Sequence, residues 1–289
     1  MKKITALFLT LALSLLCFTA CGKKEEYTVR VGVAETVDYE SGIIRQTVAG
    51  VVTDKGGNVV LTRLDAIEYE IAAKDGEILV YVPVALRDKD NNTDFINAAD
   101  YLEGYTANKT VNEVAELTGD TLGENVNEYT ADLIRAISKA LNSEYPTTFK
   151  SVPDLTSGVS LFAYAVADNE KHTLTLGVSY AAIAAADGRV MGAVIDENEL
   201  TVTLDPEGGE ISSHQYVGTK LEQGENYHMD DYNPEAVGEW YEQAAAYVKT
   251  VYYKPVDRID EIPEGTTAGC TIETANYHAA IIKASRRVR

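Results

Sequence analysis

The chain has 289 residues, 45% of them hydrophobic and 24% charged, with only seven prolines, so it can bury a core and is not a disordered stalk. Its 45 acidic residues outweigh 25 basic ones for a formal net charge of −20, which argues against nucleic acid and anionic lipid headgroups as direct partners. Three cysteines and four scattered histidines (His172, His214, His228, His278) supply neither a disulfide framework nor a clustered zinc site.

The first segment opens with Lys2 and Lys3, continues as a mostly apolar run from Ile4 to Leu16, and closes with Phe18-Thr19-Ala20 before Cys21. It resembles the signal peptide and lipobox of bacterial lipoproteins. The resemblance implies removal of residues 1–20, acylation of Cys21 with palmitate-type chains, and a protein held at the cell membrane by that lipid, facing the extracytoplasmic side. An ordinary cleaved signal and a retained anchor are the alternatives. The anchor would be short against a span of about 20 residues, with no charge holding its far side. Loss of Lys2 and Lys3 takes the net charge to about −22. Cys17 leaves with the signal and Cys21 carries lipid, so only Cys270 remains in the body and no intramolecular disulfide can form. Residues 21–27 form a short charged tether.

The body reads as two tandem related modules, 28–142 and 158–289, in an α+β fold in which each module is a β-hairpin-based antiparallel sheet with packing helices. Residues 48–71 lie without a gap over 179–202. Each is an apolar run, a glycine turn (Gly56-Gly57 or Asp187-Gly188) and a second run reaching Asp65 or Asp196. Two further pairs follow in the same order, 108–117 over 253–262 and the helical 131–140 over 275–284.

Between the matched segments the modules differ. In the first, Glu77 to Leu86 reads as a further strand and Asp88 to Asp94 as a polar turn. Asp88, Asp90 and Asn92 have the spacing that opens a calcium loop, but Thr93 stands where the turn glycine belongs and the closing glutamate is missing. Residues 143–157 carry Pro146 and Pro153, lack periodicity and read as the linker. A strand over Gly158 to Val166 then opens the second module. Pro234 to Val251 reads as a helix with Val237, Trp240, Tyr241, Ala244 and Val248 on one face.

Near the C terminus a polar turn, Gly269-Cys270-Thr271-Ile272, precedes an alanine-rich helix. This resembles the C-terminal part of the bacterial FMN-binding domain, in which a threonine is esterified to the phosphate of FMN by a dedicated transferase. The resemblance implies that Thr271 is the flavin-bearing residue, with Gly269 matching the family glycine and Cys270 standing where alanine is usual. Ala268 departs from the usual Ser or Thr. The first module offers Val126 and Asn127 at the matched positions and no hydroxyl, so one FMN at most follows from the motif. Read from the residues alone, Thr271 is a turn hydroxyl, Thr274 the N-cap of the helix and Cys270 a small core residue. His278 is expected at a surface or interface.

No Gly-Xaa-Ser-Xaa-Gly elbow, phosphate-binding glycine loop or His-Glu-Xaa-Xaa-His helix is present. Glu68 and Glu70 read as a solvated strand face. No catalytic residue and no metal ligand is assigned, so a stand-alone enzyme is not the expectation. Two functions remain: an FMN-binding electron-transfer module with an unnamed redox partner, or a surface ligand-binding or assembly lipoprotein without a cofactor. The second rests on 18 tyrosines against five phenylalanines, among them Tyr227, Tyr232, Tyr241, Tyr247, Tyr252 and Tyr253, since tyrosine faces are apolar yet wet.

Overall fold

The structure, a computed structural model, describes residues 24–74, 77–80, 83–90, 92–123, 126–205, 210–263 and 270–289. The segment expected to be a signal peptide, Cys21 and Gly269 lie outside the described residues.

Alternating apolar residues build two antiparallel sheets. The first comprises β1 (Glu25–Asp38), β2 (Ile43–Asp54), β3 (Val59–Lys74), β4 (Glu77–Val80) and β5 (Thr147–Ser151), in the order β4-β3-β2-β1-β5. The second comprises β6 (Thr156–Asp168), β7 (Thr173–Ala186), β8 (Arg189–Leu204) and β9 (Ile211–Tyr216), in sequential order. The sheets stack face to face. Val29, Val31 and Val33 of β1 and Ile44, Val48 and Val52 of β2 share one core with Leu174, Leu176, Val178 and Tyr180 of β7. Gly50 lets the sheets approach closely, with Ala182 and Val159 directly opposite it. The Tyr180 hydroxyl crosses the seam to the side-chain oxygen of Gln46 and also meets that of Asn198 in its own sheet.

Helices cover the outer faces. α1 (Thr93–Thr106) and α2 (Thr130–Leu141) bury Phe95, Ala99, Leu102, Leu133, Ala136 and Ile137 against Ala49, Val51, Leu64 and Ala66 of the first sheet. α3 (Trp240–Val248) lies over β8, and α4 (Ala275–Arg286) packs on β6 and β7. Among the described residues no helix is long and apolar enough to cross a membrane.

The expected hairpins are β2-β3 and β7-β8, and the expected strand at 158–166 lies within β6. Other expectations change. The stretch 143–157 contains β5, which pairs antiparallel with β1, so Thr147–Ser151 belongs to the first sheet, while Thr156 and Ser157 already open β6 of the second. Of the strand expected over 77–86, Glu77–Val80 forms β4 and Ala85 makes an isolated bridge to Ile67. Thr93 begins α1, whose N-cap Asn92 accepts the Phe95 N–H. The Asp88 carboxylate is engaged by Lys283 and Arg287. The helix expected from Pro234 starts at Trp240, because Glu239 and Glu242 form a reciprocal capping box there, and Val237 is left exposed. Glu70 is exposed as expected, whereas Glu68 accepts a hydrogen bond from the buried Arg45.

Candidate functional site

Five separate segments line a cleft of about 590 Å³ on the second sheet's outer side. β6 supplies Tyr164, and β8 supplies Glu197 and Glu199, which share a face because they are two apart on a strand. Lys220 begins a short helix, Lys220–Gln223, capped by Thr219 and Glu222. Tyr227, Met229 and Tyr232 come from the following turns, Trp240 opens α3, and Thr271, Glu273, Asn276 and Tyr277 come from α4 and its approach. His228 joins two of those turns at φ +52, a left-handed conformation uncommon for a non-glycine residue.

A charged knot forms the floor. The Lys220 ammonium lies 2.9 Å from Glu197 Oε2, and the Tyr277 hydroxyl donates to the same carboxylate. Trp240 Nε1 donates to the Tyr277 hydroxyl at 3.3 Å. Burial alone would lower the Lys220 ammonium, but Glu197 and the Tyr227 hydroxyl raise it, so it stays charged. Tyr164 donates to Glu199 at 3.0 Å and to Glu197 at 3.3 Å, and burial together with those carboxylates raises its phenol. The ammonium also sits 5.3 Å from the Tyr227 ring and 5.6 Å from the Trp240 ring.

An aromatic wall stands above this floor. Tyr227 and Tyr232 stack with ring centroids 4.9 Å apart and an interplanar angle of 15°, and Tyr232 is 70% exposed. Two rings fixed in parallel at a cleft mouth present a flat apolar face with hydroxyls at its edge.

Thr271 lies exposed on the same cleft. Its N–H and hydroxyl both donate to Gln243 Oε1, at 2.6 and 2.9 Å, and the Ile272 N–H adds a third bond at 3.2 Å. Gln243 is buried and held in turn by the Gly238 carbonyl. Cys270 is half-buried against the core, where burial pushes its thiol up. Thr274 takes the N-cap position of α4, buried and without a side-chain capping bond. His278, expected at a surface, is buried, with Nδ1 3.0 Å from the Tyr247 hydroxyl. It points into the core because it shares a helical face with the buried Ile281 and Ser285.

The lining fits a phosphate poorly. Among the described residues Glu197, Glu199 and Glu273 outnumber the single Lys220, already paired, so a phosphodiester at Thr271 would meet net negative charge. Uncharged hydroxyl-bearing groups fit better, since carboxylates accept and the ammonium donates. No group of three His, Cys, Asp or Glu side chains that could hold a metal occurs among the described residues.

Of the six tyrosines singled out in the sequence, Tyr227 and Tyr232 enter the cleft. Tyr241 stacks instead on Tyr145 at 4.3 Å, and Tyr252 and Tyr253 lie elsewhere. Tyr164, Glu197, Glu199, Lys220 and Tyr277 of the cleft lining, and Gln243 behind Thr271, are side chains that sequence patterns missed. The Thr219-to-Glu222 capping box is a local signal that could have marked the turn carrying Lys220. No protein-family model, curated protein or solved structure matches the chain.

Proposed function

We propose that this protein is a lipid-anchored extracytoplasmic binding module, tethered through Cys21, that takes an uncharged glycan in the aromatic cleft. The stacked Tyr227–Tyr232 pair above the Lys220–Glu197 floor carries the reading, because a sugar ring offers apolar C–H faces to aromatic rings and hydroxyls to charged groups. Trp240 is the chain's single tryptophan and lines the cleft, so its fluorescence reports occupancy directly. Titration with neutral oligosaccharides should give a saturable change in emission that Tyr232→Ala weakens at least tenfold. A flat titration across the panel, or one unchanged in Tyr232→Ala, rejects the glycan reading.

A flavin esterified to Thr271 is the second reading, favoured by the exposed position of that hydroxyl on the same cleft and opposed by the surrounding carboxylates. Visible absorption and intact mass of protein exported from cells containing the transferase separate the two readings.

The body reads as a duplication. Its support is the register that lays 48–71 over 179–202, because it also lays β1 over β6 and Asn58 over Arg189. Those last two residues make the isolated bridges Asn58–Thr110 and Arg189–Pro255, whose partners are matched in 108–117 and 253–262.

A further inference from the structure

Two buried aspartates occupy matching surroundings on the inner faces of the sheets. Asp65 Oδ1 accepts the Ala66 N–H at 2.9 Å and the Arg87 N–H at 3.4 Å; Asp196 Oδ1 accepts the Glu197 N–H at 2.8 Å and the Leu221 N–H at 3.0 Å. Beside Asp65, Lys283 near the end of α4 pairs with Asp88 at 3.4 Å. Beside Asp196, Lys139 near the end of α2 pairs with Glu222 at 2.9 Å. The correspondence is one of contacts and stands independently of the duplication reading.

The sites part at a single side chain. Four residues past Lys283, the Arg287 guanidinium reaches both Asp65 and Asp88. Four residues past Lys139 stands Ser143, too short for either task. Asp196, only 2% exposed, therefore has no cation among its described partners. In place of the guanidinium the structure has a cavity of about 250 Å³, walled by Lys139, Ser143, Glu144, Asp196, Thr219 and Glu222. Glu144 and Glu222 add negative charge to that wall, and the Lys139 ammonium is taken up by Glu222.

We propose that this cavity binds a small guanidinium compound, whose planar cation takes the place at Asp196 and Glu222 that Arg287 holds at Asp65 and Asp88. A guanidinium offers paired donors to carboxylate oxygens, which a sphere-like ammonium does not. The charged and titratable groups facing the cavity are Lys139 from α2, Glu144 after it, Asp196 from β8 and Glu222 from the capped turn. Burial pushes Asp196 up to about 7, so its charge, and with it the affinity, grows as pH rises through that value.

The test is calorimetric titration of the whole protein with methylguanidinium chloride, alongside Ser143→Arg, Asp196→Asn and Tyr232→Ala. Saturable binding is expected in the parent and in Tyr232→Ala, strengthening as pH rises through 7 and reduced at least tenfold in Ser143→Arg and Asp196→Asn. Ser143→Arg should also raise the melting temperature, because it supplies the cation in cis. Absence of saturable heat in the parent, binding unchanged in Ser143→Arg, or binding lost only in Tyr232→Ala overturns the proposal, the last by putting the cation in the aromatic cleft. Glycan titration of Ser143→Arg should match the parent, so failure here and failure of the glycan reading are told apart.

Discussion

Asp65 and Asp196 show how one neighbour decides the chemistry of a buried carboxyl. Both are raised by burial, but Arg287 opposes the effect at Asp65, while only neutral donors from Thr219, Leu221 and Glu197 oppose it at Asp196. The sign for stability follows from proton binding. The native state holds the Asp196 proton up to about 7, whereas the unfolded chain releases it near 3.9. The folded state therefore binds more protons across that window, and stability falls as pH rises through it. Asp196→Asn retains an acceptor for the Glu197 and Leu221 N–H groups but has no charge to bury. Denaturant melts at pH 4 and pH 8 should show the variant gaining on the parent by a few kcal/mol between the two conditions. A gap that does not change with pH would mean that Asp196 titrates as an ordinary surface acid.

Helix α2 is held against β1 at a point where neither element has a side chain to spare. A Cβ on Gly32 would overlap the backbone of Ala136 and Ala140, whereas one on Gly104, in the interior of α1, would meet nothing within 4 Å. Gly32→Ala should destabilise by about 1–3 kcal/mol or more through overpacking, and Gly104→Ala should stabilise by about 0.4–1 kcal/mol through helix propensity and unfolded-chain entropy. Equal changes in the two urea midpoints would contradict the close packing of α2. Element by element, the sequence is most legible where period and punctuation agree. The hairpins β2-β3 and β7-β8 show apolar runs around Gly57 and Gly188, both at positive φ, and α2 and α4 show helical spacing. α1 carries the same kind of spacing, Phe95, Ala98, Ala99 and Leu102 after the Asn92 cap, immediately behind the acidic stretch that reads as a polar turn. β5 is five residues between two prolines, and nothing local distinguishes Thr147–Ser151 from a loop, since its strand character comes from pairing with β1. The cleft was half legible for a related reason. Thr271, Tyr227, Tyr232 and Trp240 stand out by residue type, whereas Tyr164, Glu197, Lys220 and Tyr277 gain meaning only when β6, β8, the capped turn and α4 converge.

At the scale of the molecule the inner faces of the two sheets share one core, and a second lies beneath α1 and α2 on the first sheet. Phe149 of β5 stacks on Tyr27 at 5.9 Å and presses on Gly192 of β8, where a Cβ would overlap its ring. From the other end of the chain, Arg287 reaches back to Asp65 and Asp88, and Arg289 pairs with Glu103 at 3.0 Å while its backbone bonds that of Ser157. A cut in the 143–157 stretch would strip the edge strand from the first sheet, expose the inner faces of both, and part Arg287 from Asp65. The whole chain should therefore melt in a single calorimetric transition whose van't Hoff and calorimetric enthalpies agree. Residues 24–142 and 158–289 expressed separately should lack cooperative melts, and mixing them should not restore one, because β5 is in neither piece. Two resolved transitions in the intact protein, or a cooperative melt from either piece alone, would show that the sheets are stable independently and that the shared core is a contact rather than a foundation.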